Sequence, residues 1–290
     1  MTKIPILATG LSGLVGTRIS EILSSEYEFR DVSLTTGIDI TDFEAVDKAV
    51  RESDSEVILH MAAKTDVDAC EDDKILGDDG GAWRINVVGT DNIIACARKY
   101  GKRVIYVSTD FVFDGTSDEY HEDDLPNPVS WYGYTKHLGE EHLAESNVDF
   151  SVIRISYPYR NLFEPKKDFV HRIIDQFKKE GKIHALTDHI FTPTLVDDIA
   201  TGLKVFLGRN LPGIYHLTGG SSLTTIDAVR TIAATYNIKC EIIPIDRATY
   251  FKDRAFRPFK LALKNDKISK LGITMSDFAQ GLKTVKQQDS

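Results

Sequence analysis

"IPILATGLSGLVGTRISEILSS", residues 4–25, is the stretch whose reading decides the fold of this 290-residue chain. Its first six residues form a short apolar run ending at Thr9, and Ile19, Ile22 and Leu23 then recur on one face of a helix predicted over 15–25. Between strand and helix stand Gly10, Gly13 and Gly16. Glycines at such a junction let the backbone turn tightly and approach a pyrophosphate, whose charge meets the helix N-terminus. The preceding strand and following helix are the context that gives the glycine string its meaning as a dinucleotide cradle. Gly10, Ser12, Gly13, Leu14, Val15 and Gly16 are the expected cofactor contacts of this loop. The same stretch is not a secretion signal, because it lacks an A-x-A-like cleavage site.

Working outward, the alternation continues. "DVSLTT" (31–36) reads as a second strand and 42–53 as a helix capped by Thr41 or Asp42; 56–62, 84–100 and 103–109 follow as strand, helix and strand. Strands alternating with helices specify an α/β fold, a doubly wound parallel sheet with helices on both faces. Right-handed crossovers bring every strand's carboxyl end to one edge, where ligands bind. Ala62 and Ala63, with Met61 and Lys64, follow the third strand, where small side chains let a cofactor lie against the backbone. The strand at 103–109 delivers Ser108, Thr109 and Asp110 to the same edge, which explains why a buried strand turns polar at its end. Asn86 is placed at the opening of the helix at 84–100, with an ordinary cap as the plainer alternative to a role at this edge.

Beyond residue 155 the regularity fades: helices are expected at 168–181, 195–208 and 224–237, and strands at 182–187 and 213–219. No internal repeat or low-complexity linker separates two halves. The division expected is a nucleotide-binding domain over 1–155, with return segments near 182–218, and a smaller, interleaved C-terminal substrate lobe within 156–290.

Bulk properties narrow the partners. A 42% hydrophobic content supports a sizeable core, and a net charge of −9 argues against a general nucleic-acid or anionic-membrane surface. Cys70, Cys96 and Cys240 are an odd number of dispersed cysteines without a Cys/His ligand pattern. That implies no metal site and a reducing, cytoplasmic setting. No stretch approaches the roughly 18 unbroken apolar residues of a membrane span.

Two further patterns carry chemistry. Tyr132 and Lys136, four apart on a predicted helix, share a face, so an ammonium can favour phenolate and fit the tyrosine to shuttle a proton at a carbonyl or alcohol. Tyr134 is a rival phenol without a lysine four residues on. The ribose signal is weaker. An acidic residue about 20 residues past the loop selects NAD, and a nearby arginine NADP; a second strand ending at Leu34-Thr35-Thr36 offers neither. Asp39 and Ile40 come just after, and Arg18 is the nearest early cation, so NADP or NAD both remain open.

Taken together, "ATGLSGLVG" (8–16), "HMAAKTDVDACE" (60–71), "NVVGTDN" (86–92), "STDFVFDG" (108–115) and "PNPVSWYGYTKHLGEE" (126–141) resemble the dTDP-4-dehydrorhamnose reductase family of the extended short-chain dehydrogenase/reductase superfamily. "DHIFTPTLVDDIA" (188–200), "GIYHLTGG" (213–220) and "RPFKLAL" (257–263) extend the resemblance over most of the chain. It implies a Rossmann-like fold and NAD(P)H-dependent reduction of the 4-keto group of a nucleotide-linked 6-deoxy sugar, dTDP-4-dehydro-L-rhamnose above all. It also implies a catalytic set of Thr109, Tyr132 and Lys136, with Thr65, Val67, Asp110, Phe111 and Tyr157 around the sugar. The partner is then a nucleotide-diphosphate sugar, and a homodimer is left open.

The stretch 247–270 holds eight cations against Asp253 and Asp266, which suits a lobe that clamps a diphosphate. Arg257 is its best candidate, because guanidinium pairs bidentately with phosphate oxygens, while most of the other cations read as a solvated face. Two departures concern the sugar: 72–86 is longer and richer in glycine than the family's link, and Tyr157-Pro158 stands where a tryptophan is common. A nucleotide-sugar epimerase or dehydratase is one alternative, although Thr109-Asp110-Phe111 lacks the glutamate that dehydratases carry third. A non-catalytic subunit resembling the regulatory subunit of methionine adenosyltransferase is the other.

Overall fold

A computed structural model describes residues 2–252 and 254–290; Asp253, counted above in the cationic stretch, lies outside the described residues. Five strands and their crossovers build the first half: β1 (Ile4–Thr9), β2 (Tyr27–Val32), β3 (Val57–His60), β4 (Arg103–Thr109) and β5 (Phe150–Ile155). All pair in parallel in the order β2-β1-β3-β4-β5, and Gly213–His216 returns from the second half to pair in parallel beside β5. β3 is apolar up to His60 and β4 from Val104 to Val107, as a sheet covered on both faces requires. One face packs on helix α1 (Leu14–Leu23) and helix Val196–Gly208, burying Ile19, Leu23, Ile199, Leu203 and Phe206 with Ile6, Leu59 and Ile105. The other packs on α2 (Phe43–Arg51) and helix Gly89–Tyr100, burying Val46, Val50, Ile93 and Ala97 with Leu7, Ile58 and Val104. The crossovers leave β1 in opposite directions toward β2 and β3, so the crevice between the carboxyl ends of β1 and β3 is the topological switch point.

Two local expectations are corrected. The second strand is Tyr27–Val32, not 31–36. As an edge strand it buries only Tyr27 and Val32, so its apolar signal is weak. The β-branched run that followed it looked like the strand, but its polar side chains bond locally instead. Ser33 and Thr36 form a reciprocal cap, Thr36 Oγ1 also reaches Asp31 O, and Gly37 closes the turn at φ +79°. Such side-chain bonds compete with a sheet ladder. Asn86, in turn, does not cap a helix. It lies inside a continuous helical run, Gly81–Trp83, π-helical Arg84–Val88 and Gly89–Tyr100, and is fully buried. π-Turns cluster at functional sites.

The second half adds a smaller cluster. Helices Phe169–Glu180, Thr225–Tyr236 and Phe278–Gln288 pack Val170, Ile174, Ile226, Val229, Leu282 and Val285 around Tyr159 and Phe191. Strand Lys182–Leu186 pairs in parallel with Glu241–Ile245 beside them. No helix among the described residues is long and apolar enough to cross a membrane.

Candidate active site

The glycine loop has the shape a dinucleotide needs. Gly10 is left-handed, φ +73°, and a Cβ there would come within 2.7 Å of the Ala62 backbone nitrogen. A Cβ on Gly16 would stand 2.4 Å from the Gly10 carbonyl oxygen, so α1 meets the loop at glycine contact distance. Thr9 Oγ1 accepts from the Met61 and Ala62 amides at 3.1 and 3.0 Å and bonds His60 Nδ1 at 2.7 Å, which ties the ends of β1 and β3 together. The N-cap of α1 is Gly13 without a side-chain cap, and its first turn carries no acid. Its first amides therefore face outward for an anion. Ser12 is exposed on the loop, and Leu14 and Val15 are half-buried. The residues present fit a nicotinamide dinucleotide.

The corrected register changes the ribose end. Asp31 now stands one residue from the end of β2, paired with Ala8, at the spacing the acid rule asks for. Its Oδ2 accepts from Ser33 Oγ at 2.6 Å and Thr35 Oγ1 at 3.3 Å, whereas Oδ1 is buried without a partner. Asp39 is exposed and accepts from the Thr41 amide, and the Ile40 side chain lies in the core against Gly89. Arg18 is spent on Asp197, with both contacts at 2.7 Å.

Along the crevice, Met61, Ala62, Ala63 and Lys64 are half-buried. Asn86 Oδ1 accepts from the Lys64 amide at 2.8 Å, and its Nδ2 donates to Lys64 O at 3.1 Å and Thr135 Oγ1 at 3.0 Å. One side chain thus joins the loop after β3 to the helix Trp131–Glu145. The Lys64 side chain turns away to pair with Asp73.

That helix starts at Ser130, whose Oγ accepts from the Gly133 amide, and it is pinned to the sheet by a buried bidentate pair. Arg154 Nε and Nη2 donate to Glu140 at 3.0 and 2.6 Å. Burial pushes the Glu140 carboxyl up, but Arg154 outweighs it and holds it at about 2. The pair sets the rotation of the helix, and Tyr132 and Lys136 turn in toward β4. The Lys136 ammonium donates to Val107 O at 2.9 Å and lies 3.9 Å over the Tyr106 ring; burial lowers its pKa to about 7 against the pull of Glu140. The Tyr132 phenol lies beside Thr109 and edge-on to Phe111, 5.6 Å between ring centroids.

The expectation that Lys136 lowers the Tyr132 pKa is corrected. The phenol is held well above its ordinary value, first by burial and then by the neighbouring Asp110 carboxylate, with only the adjacent Thr109 hydroxyl opposing. The ammonium is committed to Val107 O rather than to the phenol.

Thr109 and Asp110 end β4 together. Thr109 Oγ1 donates to Asp110 Oδ1 at 3.0 Å and accepts from the Phe111 amide at 3.2 Å, and Ser156 Oγ donates to Asp110 Oδ2 at 2.6 Å. Burial raises Asp110 to about 6 despite these bonds. Val67 packs with Phe111 and Tyr132, and Tyr157, at φ +40°, packs against Phe111 from the other lobe. A bulky residue in that backbone region is strained, and such strain gathers at binding sites. Thr65 is exposed and accepts from Lys166 Nζ at 3.0 Å.

The cationic stretch is arranged differently from its sequence reading. Arg257 pairs with Asp68 at 2.9 Å, while Lys260, Lys264 and Lys267 pair with Asp118, Glu119 and Asp123. Much of the local charge is neutralised by an acidic loop, not reserved for a ligand. Arg247, one of the other cations of the stretch, is buried. It stacks 3.8 Å from the Phe259 centroid, and its Nε has no partner. Tyr157 Oη reaches His189 Nε2 at 3.3 Å in the same lobe. Sequence reasoning missed Arg247, His189, Thr9 and Asp31; only Asp31 had a readable signal, hidden by the misplaced strand. Among the described residues no group of three or more His, Cys, Asp or Glu could hold a metal ion.

Known proteins share this architecture. Methionine adenosyltransferase 2 subunit beta of Xenopus laevis is 28% identical over 92% of this chain and 82% of its own length. The dTDP-4-dehydrorhamnose reductase of Aggregatibacter actinomycetemcomitans is 28% identical over 97% of this chain and 98% of its own. The crystal structure of dTDP-4-dehydrorhamnose reductase from Bacillus anthracis in complex with NADP superposes with a TM-score of 0.90 at 26% identity, covering 99% of this chain and 100% of that one. The family model for the RmlD substrate binding domain matches residues 3–290. With its parallel sheet, glycine cradle and converging Thr109, Tyr132 and Lys136, the chain belongs to the RmlD family, that of the dTDP-4-dehydrorhamnose reductases, which are NAD(P)-dependent oxidoreductases.

Proposed function

We propose that this chain reduces the 4-keto group of a nucleotide-linked 6-deoxy sugar, dTDP-4-dehydro-L-rhamnose in particular, with NADPH or NADH. The observation that carries the reading is the convergence of Thr109, Tyr132 and Lys136 at the end of β4, beside the crevice between β1 and β3. A bound reduced nicotinamide supplies hydride to the sugar carbonyl carbon. Gly10, Ser12, Gly13, Leu14, Val15 and Gly16 would hold its pyrophosphate, Asp31 its adenosine ribose, and Met61 to Lys64 its flank. Lys136 would hold the nicotinamide ribose hydroxyls. Tyr132 Oη gives its proton to the carbonyl oxygen, and its high pKa keeps that proton in place until the oxygen becomes basic. Val67, Phe111 and Tyr157 present apolar surface to the sugar. Arg257, freed from Asp68, and the buried Arg247 are the cations for the diphosphate, with residues 156–290 mainly forming the substrate lobe.

The test is oxidation of NADPH and NADH by purified protein given dTDP- or GDP-linked 4-keto-6-deoxy sugars. Tyr132→Phe should lower kcat by about 10²–10⁴-fold with little change in cofactor affinity. Absence of turnover with every sugar would overturn the reading. A second reading, a non-catalytic subunit, is favoured by the likeness to methionine adenosyltransferase 2 subunit beta. Stoichiometric co-purification with a methionine adenosyltransferase, without sugar turnover, would establish it.

A further inference from the structure

Hydrogen-bond bookkeeping around Thr109 raises a difficulty for the reading above. A threonine hydroxyl has one proton and two lone pairs. Here the proton goes to Asp110 Oδ1 at 3.0 Å and one lone pair takes the Phe111 amide at 3.2 Å, with the Tyr132 phenol beside the hydroxyl. In that state Thr109 has no proton to offer a carbonyl oxygen. The arrangement reverses only when Asp110 is itself protonated, because its Oδ1 then donates to Thr109 Oγ1 and the Thr109 hydrogen swings free.

We propose that Asp110 is a second proton store of the site, which turns Thr109 into a donor toward the sugar carbonyl and reprotonates Tyr132 through it. This rests on the reductase reading. The relay balances. When Tyr132 Oη has passed its proton to the carbonyl oxygen, the Thr109 Oγ1–H bond breaks as a new Tyr132 Oη–H forms. The Asp110 Oδ1–H bond breaks as Thr109 Oγ1–H is restored. Asp110 ends as a carboxylate and regains a proton from water when the cleft empties. The transfer runs downhill, from a buried carboxyl titrating at about 6 to a phenolate of far higher proton affinity.

The groups facing Asp110 allow this. From β4 it meets Thr109, from the helix Trp131–Glu145 it meets Tyr132, and from the segment after β5 it meets Ser156 and Tyr157. The thiol of Cys70 lies beyond Tyr132 on Val67–Asp73. Lys136 is turned to Val107 O. Ionised Asp110 also raises the Tyr132 pKa, so protonating Asp110 makes the phenol a readier donor. Both effects act in one direction: reduction is favoured while Asp110 is protonated and declines as pH rises through about 6.

Infrared difference spectra of cofactor-free protein should show a protonated carboxyl that titrates near pH 6 and is missing from Asp110→Asn. With a 4-keto-6-deoxy nucleotide sugar and excess cofactor, kcat/KM should fall up to tenfold per pH unit above that point, and the proton inventory should be curved. Asp110→Asn can still donate to Thr109 but cannot deliver a proton, so its inventory should become linear, its decline vanish and its kcat drop 10- to 100-fold. Ser156→Ala removes a bond to the charged form; the infrared titration and the kinetic decline should move up together. If wild-type protein reduces no 4-keto sugar, the functional reading fails and the relay with it. If it does, and both variants keep the wild-type profile and inventory, or the carboxyl titrates near 4, the relay alone is wrong.

Discussion

Asp110 carries a stability consequence separate from any chemistry. Burial raises its folded pKa to about 6, above the 3.8 of a free aspartate. The folded chain therefore keeps a proton that the unfolded chain gives up, so the favourable term is complete below pH 3.8 and is lost as pH climbs to 6. A shift of about 2 units is worth about 3 kcal/mol. Asp110→Asn, neutral throughout, should gain about 1–3 kcal/mol over wild type in urea denaturation at pH 8, and nothing below pH 3.5. An equal effect at both pH values would mean that Asp110 titrates as an ordinary carboxyl. Asp31 governs a different choice. Its carboxylate, near the carboxyl end of β2, can turn to accept from a ribose 2′-hydroxyl and would repel a 2′-phosphate. Fluorescence titration should give NADH a lower Kd than NADPH, and Asp31→Ser should cut that ratio by tenfold or more. Tighter NADPH binding by wild type would show that Ser33 and Thr35 hold a phosphate instead.

At the level of elements, the glycine junction makes the strongest demand on sequence. Gly16→Ala would place a methyl 2.4 Å from the Gly10 oxygen and 2.7 Å from Leu11 Cα, both backbone atoms. The helix must shift off the loop, at about 1–3 kcal/mol, and cofactor Kd should rise at least tenfold. Unchanged thermal midpoint and Kd would mean the contact relaxes freely. This junction was readable because strand, glycines and helix are contiguous in the chain, and so was 103–109, whose apolar run and polar end match β4 residue for residue. The Tyr132–Lys136 spacing likewise gave their shared helix face. What was not readable depends on distant partners. β2 is an edge strand whose identity is decided by pairing with β1, while Ser33 and Thr36 imitate a strand by composition. Asn86 gains its role from Lys64, 22 residues away, and Thr135, 49 away. The direction of the Tyr132 pKa required knowing that Lys136 is engaged by Val107 O.

Across the whole molecule, the first half and the later residues share the apolar core under the sheet, and a few charged contacts add to it. Arg257 holds Asp68 and Lys166 holds Thr65, both on the segment that follows β3. Arg18 of α1 is locked to Asp197. Arg160 is the most consequential of these contacts, because it reaches the start of α1, the helix that follows the glycine loop. It is buried, donates to Thr17 Oγ1 at 2.8 Å and to Glu21 Oε2 at 3.0 Å, and lies against Leu14 O. Glu21 is half-exposed, so losing its partner strands no buried charge there, and the cost should resemble that of charge-assisted hydrogen bonds. Arg160→Met should therefore destabilise the chain by about 1–3 kcal/mol while leaving it folded. If the clasp only joins the two halves, cofactor Kd will match wild type. If it also fixes the pitch of α1 toward the pyrophosphate, Kd will rise severalfold in fluorescence titration while Tyr132 and Lys136 stay in place. The second outcome is expected, because two of the three α1 residues that Arg160 reaches, Leu14 and Thr17, lie within the first turn of that helix.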